Sequence, residues 1–559
     1  MSPTIAYTER AAVTATHGMV TCPHALASQA GVDVLKAGGS AVDGAIAASS
    51  TLAVIYPHMT GLGGDAFWLI YDAANNKVRY LDGGGRAAAS ASVAWFHERG
   101  HKTEIPFRGV LPATLTTPGA VASWVEAHRV YGRLPLKKNL QAATACAREG
   151  FEVTARLARW LHDTAPELAP HPESAAIFLP NGKPPNAGSQ LTNPDLARTL
   201  DALAANGHAG FYGGEVAREM ARFAQDHGGF FTEADLQNQT ARWGEPLKGS
   251  YRGVTIYETP APTQGFTVLE MLNLLEPLAL HRLPHPPGGS ADLVHLMVQA
   301  KQIAYHDRDR HLADPLFSGV PTQQRIERLI SKAYADERRA LIDPARALPW
   351  DRVPSHGSLS GDTVFIAAVD AAGNAAALIN SLYGVFGSCV VAGRSGVMLQ
   401  NRAAYFSLDP AHPNCVAPGK TPLHTLIASL AFRKEREEEK EEEKLWAVVG
   451  CMGADGQPQI HAQTYVAMID HGLDIQQAVQ APRWLSGRFA LGEARDTLHI
   501  EARFAAETIA ELERRGHVID RWGEWNELAG HAHGITIDAR TGVRCGGSDP
   551  RSDGAAIGL

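Results

Sequence analysis

No run of apolar residues in this chain is long enough to cross a bilayer. The most apolar long segment, Ala41 to Tyr56, is interrupted by Asp43 and falls short of the roughly 20 residues a spanning helix needs. Cysteine is scarce as well: six in 559 residues, none in a CxxC pair, which excludes a disulfide framework and a zinc ribbon. There is no basic excess. The net charge is −8, so the chain carries no electrostatic footprint for nucleic acid or an anionic membrane. The first seventeen residues contain Glu9 and Arg10 but no basic start followed by an apolar core. No secretory signal is expected, and a reducing, cytoplasmic setting is the default expectation.

Several catalytic signatures are missing too. There is no Walker-type GK[ST] and no G-x-S-x-G elbow. Gly61-Leu62-Gly63-Gly64-Asp65-Ala66 fits G-x-G-x-x-A in letters. A dinucleotide site needs a strand before that motif and a helix after it. Here a helical pattern precedes and a strand pattern follows, so no nucleotide cofactor is expected. His531 with His533, and His306 with His311 and Asp314, suggest metal ligands, but no further convergent ligand is readable. No metal and no other cofactor is expected.

What is present is ordinary globular composition, 45% hydrophobic and 20% charged. The length suits several domains or one large interleaved unit. Helical spacing runs over His24 to Ala37, ending at Gly38-Gly39, and over the small-residue segment Ala41 to Ile55. Asp65 to Asp72 and Val78 to Asp82 read as strands joined at Asn75-Asn76. Pro118 to about Arg339 reads as mostly helical, with a Pro/Gly loop at His281 to Gly289. After Thr363 strands predominate: Thr363 to Asp370, Ala375 to Leu382, Gly396 to Gln400, Leu445 to Gly450, Thr497 to Ile500 and His533 to Asp538. Arg433 to Lys444 is a mixed charge run between apolar strands, read as a solvated hairpin tip or helical excursion.

At Asp362-Thr363 a turn-prone segment, Ser355 to Asp362, runs straight into a β-type apolar run. A threonine there is either a β-branched residue opening a strand or a nucleophile. If the bond before it is cut, Thr363 carries a hydroxyl and a free α-amine of unperturbed pKa about 7.7–8.0, and so both nucleophile and base. Two glycine clusters follow strand-like runs: Gly83-Gly84-Gly85 and Gly450-Cys451-Met452-Gly453. Such glycines are either tight strand exits or places where backbone N–H groups face a ligand. Gly546 to Gly554 (GGSDPRSDG), dense in turn formers, reads as a C-terminal loop.

Taken in order, these segments resemble the γ-glutamyltransferase family over almost the whole chain. The match is carried by Gly39 to Ala48, Pro57-His58, Gly61 to Gly64, Tyr305 to Pro315, Asp362-Thr363, Gly373-Asn374, Gly393 to Phe406 and Gly547 to Ser552. The resemblance implies an α+β fold, the four-layer αββα sandwich of N-terminal-nucleophile hydrolases. It implies a precursor cut between Asp362 and Thr363 into a large subunit, 1–362, and a small one, 363–559. These form a heterodimer within a single interleaved unit. It assigns Thr363 as the nucleophile, Ser381 as the hydroxyl that hydrogen-bonds it, and Gly453 with Ala454 as the oxyanion pair. Losing such a donor costs about 2.7–4 kcal/mol. Ala454 keeps its donor in place only if it avoids φ > 0.

The departures from the family pattern fall in the substrate pocket. Gly84 stands where γ-glutamyl-binding members carry an arginine, and Arg86 lies two residues later. Arg402 and Tyr405 stand where acidic or amide residues meet the glutamyl amine. Tyr383 replaces an asparagine, and His424-Thr425 a serine pair. A cation where an ammonium belongs is repulsive. The chain is therefore similar to an outlying branch of the family, with the glutathione-hydrolase-like proteins and oxamate amidohydrolase. The expected substrate is a small carboxylate-bearing amide such as oxamate. The alternatives are a γ-glutamyltransferase or glutathione hydrolase using Arg86, and a non-catalytic binding protein that kept the fold.

Overall fold

The computed structural model describes residues 5, 7–285, 289–318, 320–351, 353, 362–437, 440–488 and 494–559. Two seven-stranded antiparallel sheets form its centre. One sheet has the order Ala555–Gly558, Met19–Cys22, Asp362–Val369, Ala375–Tyr383, Asp65–Asp72, Lys77–Gly83, Arg242–Gly244. The other runs Val13–Ala15, Arg544–Ser548, Ala532–Ile537, Lys440–Cys451, Ser429–Glu437, Val254–Glu258, Leu247–Tyr251. Each sheet takes strands from both sides of the Asp362–Thr363 bond.

Alternation along the strands sorts the layers. Phe67, Leu69, Phe365, Ala367, Val369, Ala377 and Ile379 face the second sheet, where Leu426, Ala428, Leu430 and Val448 meet them. The intervening Ala66, Trp68, Val364, Ile366, Ala368 and Leu378 face outward onto helices Ala25–Lys36, Ala41–Ile55 and Ala120–Tyr131. Helices Gly265–Leu275, Ala291–His311, Gln457–Ile469 and Ile475–Gln480 cover the far face of the second sheet. The result is the αββα sandwich. Strands buried on both faces read as nearly continuous apolar runs, as in Asp362–Val369.

Helix Ala41–Ile55 shows how sequence sets this packing. Ser40 caps it in a capping box with Asp43, and all fifteen of its residues are buried. A side chain on Gly31 of the neighbouring helix would come within 2.9 Å of the Gly44 carbonyl, so the small residues let the two helices touch.

Some expectations change. Gly396 to Gln400 is not a strand. Gly396 sits at φ 69°, and the segment makes only single bridges, Val391 with Met398 and Gly63 with Leu399. The mostly helical span contains three strands between Arg242 and Glu258. Of the two readings of the charge run, the hairpin holds and the helical excursion does not: Ser429–Glu437 pairs with Lys440–Cys451, with the Arg433 guanidinium 3.6 Å from the Trp446 ring centroid. Gly546 to Ser548 belongs to a strand rather than a loop, because Gly546 faces Met19 and Ala556 where no side chain fits. Part of the His281 to Gly289 loop lies outside the described residues. So does the Ser355 to Asp362 segment, apart from the backbone of Asp362.

Candidate active site

The inter-sheet face of the first sheet ends, at one mouth of the sandwich, in Asp65, Thr363 and Ser381. These residues continue the alternation of Phe67, Phe365 and Ile379. Thr363 is 1% exposed. Its strand pairs Asp362 with Tyr383 and Val364 with Asn380, so Ser381 and Leu382 together oppose Thr363 in a β-bulge. Bulges re-aim side chains next to active sites. Beyond the bulge the chain turns sharply through three non-glycine residues at positive φ, Tyr383 at 80°, Phe386 at 55° and Cys389 at 64°. Such strain clusters at functional sites.

Glycines bring the backbone this close. A Cβ on Gly64 would lie 2.2 Å from the Ser381 carbonyl oxygen, and one on Gly63 would lie 2.1 Å from that of Met398. The Gly61 to Gly64 motif is thus a packing surface for the Ser381 strand. On the opposite sheet, a Cβ on Gly450 would enter the Phe365 ring. That glycine makes room for the aromatic two residues beyond Thr363.

Ser381 Oγ accepts from the Tyr383 N–H at 2.8 Å and from Arg402 Nη2 at 3.2 Å. Arg402 Nη1 donates to Thr425 Oγ1 at 3.1 Å. The Arg402 guanidinium lies 4.6 Å from the Tyr383 ring centroid and 5.6 Å from that of Tyr405, and those two rings are 4.4 Å apart. Arg402 is fully buried, and among the described residues no carboxylate lies within ion-pair distance of it. Burial lowers its pKa, yet a guanidinium remains cationic in proteins.

Across the mouth stand Gly453 at φ 137° and Ala454 at φ 44°. Ala454 thus does adopt the left-handed conformation that, as a condition set from the sequence, would displace its donor unless something else fixes it. The surrounding bonds hold it there. Gln264 Nε2 donates to the carbonyls of Ala454, at 3.0 Å, and Thr425, at 2.8 Å. Gln264 Oε1 accepts from Arg308 Nη1 at 2.7 Å. Arg308 forms a buried ion pair with Asp455, and the Tyr305 hydroxyl donates to the Asp455 carbonyl. Tyr305 and Arg308, from the Tyr305 to Pro315 motif, thus brace the Gly453–Asp455 loop. Among the described residues neither the Gly453 nor the Ala454 N–H meets an acceptor.

The structure brings Thr363, Ser381, Tyr383, Arg402, Tyr405, Thr425 and Ala454 into one connected cluster. His424 lies beside it, fully buried, 3.7 Å from Asp65 Oδ2 and edge-on to Phe67. Burial first, and Arg402 second, push its pKa well down, so the ring is neutral. Arg86 does not join the cluster. Its Nη2 donates to the Thr240 carbonyl at 2.9 Å and to Thr240 Oγ1 at 3.1 Å. The Asp362 side chain is outside the described residues.

Sequence reasoning missed Asp65, Gln264 and the Arg308–Asp455 brace. Asp65 had a readable cue, a lone charge opening an apolar strand directly after Gly63-Gly64. Gln264 had none. His531 and His533 are buried near Asp549, and His531 accepts from the Met452 N–H through its backbone carbonyl, on the chain that leads to Gly453. Among the described residues no group of three or more His, Cys, Asp or Glu is placed to hold a metal ion.

A threonine at a sandwich mouth, in an αββα fold, defines the architecture of an N-terminal-nucleophile hydrolase. A solved structure of cephalosporin acylase from Bacillus halodurans superposes with a TM-score of 0.89 at 33% identity, covering 100% of this chain and 99% of that one. The family model described as gamma-glutamyltranspeptidase matches residues 27–559. The glutathione hydrolase-like YwrD proenzyme of Bacillus subtilis is 37% identical, with 98% of this chain and 99% of the relative covered. The oxamate amidohydrolase proenzyme of Klebsiella pneumoniae is 38% identical, with 97% and 98% covered. The chain belongs to the gamma-glutamyltranspeptidase family and is an enzyme of its amidohydrolase and transferase class. No described helix is long and apolar enough to cross a membrane.

Proposed function

We propose that the chain is a precursor that cuts itself before Thr363 and then hydrolyses a small amide whose acyl group carries a carboxylate. In the first reaction Thr363 Oγ attacks the Asp362 carbonyl, and the hydroxyl proton passes to the departing Thr363 nitrogen. Water then cleaves the resulting ester, freeing the Asp362 carboxylate and the Thr363 hydroxyl. Relatives of similar length bear the name proenzyme, which supports this step. Each sheet pairs strands of one half with strands of the other, so the two products stay joined as a heterodimer.

In the cut enzyme the Thr363 α-amine takes the hydroxyl proton as Oγ attacks the substrate carbonyl. The N–H groups of Gly453 and Ala454 receive the developing oxyanion. The proton moves to the leaving nitrogen, and ammonia or an amine departs. Water then attacks the acyl ester, releasing the acid and restoring Thr363. Ser381, opposite Thr363 in the bulge, orients the nucleophile. All six cysteines are free, which fits a cytoplasmic setting.

One observation carries the substrate reading: the buried Arg402 cation, flanked by Tyr383 and Tyr405, with only hydroxyl oxygens as acceptors among the described residues. A buried charge with no carboxylate within ion-pair distance is costly, and a carboxylate on the acyl group that pairs with it directly relieves that cost. Oxamate has this form, and a relative carries that name. The deciding measurement compares ammonia released from oxamate with glutamate released from glutathione by the cut enzyme. Faster oxamate turnover supports the reading, and equal or better glutathione turnover refutes it.

A further inference from the structure

We propose that Asp65 determines which acyl groups the Arg402 pocket accepts: an amine-free carboxylate binds only when Asp65 is protonated, so its binding takes up one proton. This inference rests on the reading of Arg402 given above.

Asp65 opens the strand after Gly63-Gly64 and pairs in register with Ser381. It is fully buried. Its Oδ1 accepts from the Gly85 N–H at 2.7 Å and from Gln400 Nε2 at 3.1 Å. Its Oδ2 has no hydrogen-bond partner among the described residues, and neither ring nitrogen of His424, 3.7 Å away, has one. Both residues stand beside ones that hold the guanidinium: Ser381, the register partner of Asp65, accepts from Arg402 Nη2, and Thr425, next to His424, accepts from Nη1. The charged groups facing the carboxyl are Arg402, which favours its ionised form, and Asp82 on the adjacent strand, which opposes it. Asp82 is itself pushed up to about 6, chiefly by burial. His424 is neutral, and burial pushes the Tyr212 phenol up, so it stays protonated. Arg402 also feels Asp455, through which Tyr405 is held.

Charge counting gives the consequence. With the Thr363 α-amine of the cut enzyme in the neutral form that acts as base, the pocket is neutral when Asp65 is ionised and carries one positive charge when Asp65 is protonated. Burial pushes the Asp65 carboxyl up to about 7, with Arg402 and the Gly85 and Gln400 bonds limiting the rise. Both forms are thus populated near neutrality. A substrate carboxylate on Arg402 adds an anion beside Asp65 in a dry site, which disfavours the ionised form. An acyl group bearing both carboxylate and ammonium makes the opposite demand, because ionised Asp65 is the counter-charge for the ammonium. Asp65 therefore separates oxamate-like from glutamyl-like acyl groups, and the preference shifts toward the latter as pH rises.

The test uses the mature enzyme and pyruvate, which has the size and charge of oxamate but no scissile amide. Calorimetry at pH 8 in two buffers of different ionisation enthalpy is expected to report uptake of about one proton. The inhibition constant of pyruvate against amide turnover is expected to rise about tenfold per pH unit above about 7. Asp65→Asn removes both effects. If that variant does not fold, Gln400→Met serves instead. Losing a donor to the ionised carboxyl raises the pKa of Asp65, so the rise starts at higher pH. Binding without proton uptake, or an unchanged onset in Gln400→Met, overturns the Asp65 proposal and leaves the Arg402 reading intact. No pyruvate binding at any pH, together with no oxamate turnover, overturns both.

Discussion

Replacing Arg402 by glutamine separates the role proposed for this side chain from mere support of its neighbours. The substitution removes the buried cation and the Nη2 bond to Ser381 Oγ at 3.2 Å and the Nη1 bond to Thr425 Oγ1 at 3.1 Å. For a carboxylate substrate, losing one partner of a desolvated charge pair costs about 2–5 kcal/mol. At about 1.4 kcal/mol per decade, kcat/KM for oxamate falls about 30-fold to a few thousandfold. The ethyl ester of oxamate keeps the amide but has no charge. For it only the charge-assisted bond to Ser381 is lost, about 1.5–3 kcal/mol, or about tenfold to 150-fold, whereas the acid loses this and the charge pair together. Ammonia release from both substrates gives the comparison. Self-cleavage, which involves no substrate carboxylate, proceeds in the variant. Equal losses on the acid and the ester would refute the carboxylate role and leave Arg402 as a brace for Ser381.

Gly64→Ala places a Cβ 2.2 Å from the Ser381 carbonyl oxygen, where backbone must shift. Self-cleavage is expected to slow by at least tenfold on a gel time course, and wild-type kinetics would contradict the close approach. Ala454→Gly relieves a left-handed alanine at φ 44°. That conformation costs about 1–2 kcal/mol, and glycine's extra chain entropy returns about 0.5–1 kcal/mol of the gain. The denaturant midpoint should rise by the equivalent of about 0.5–1 kcal/mol, and a lowered midpoint would mean the loop does not hold strain. Gln264→Leu, which frees the Ala454 carbonyl, should reduce kcat more than it raises KM, because the oxyanion donors act in the transition state. An effect confined to KM contradicts this.

Much of the sandwich was legible from local pattern. The helix 41–55 and the strand 65–72 announce themselves by capping, small-residue content and continuous apolar character, and they sit where the sequence puts them. The strands at Met19–Cys22 and Val254–Glu258 were not read. They are short, or carry polar residues such as Glu258, whose burial depends on His461 across the fold. Gly396 to Gln400 was read as a strand from its apolar letters, but its partners are single residues on two different segments. At the site, Thr363 stands at a junction visible in the letters, yet the bulge that sets Ser381 opposite it lies in a distant strand, where Gly64 packs on the Ser381 carbonyl. Arg86 and Arg402 illustrate the same limit. Only tertiary packing sends one to Thr240 and the other to Ser381 and Thr425.

The central claim is that the chain cuts itself and uses the freed threonine. Intact-mass analysis of purified wild type and Thr363→Ala under denaturing conditions tests it most directly. The account predicts two fragments from the wild type, the smaller running from Thr363 to Leu559, and one full-length chain from the variant, which has no amide turnover. A wild type that stays whole, or a variant cut at the same bond, would contradict it.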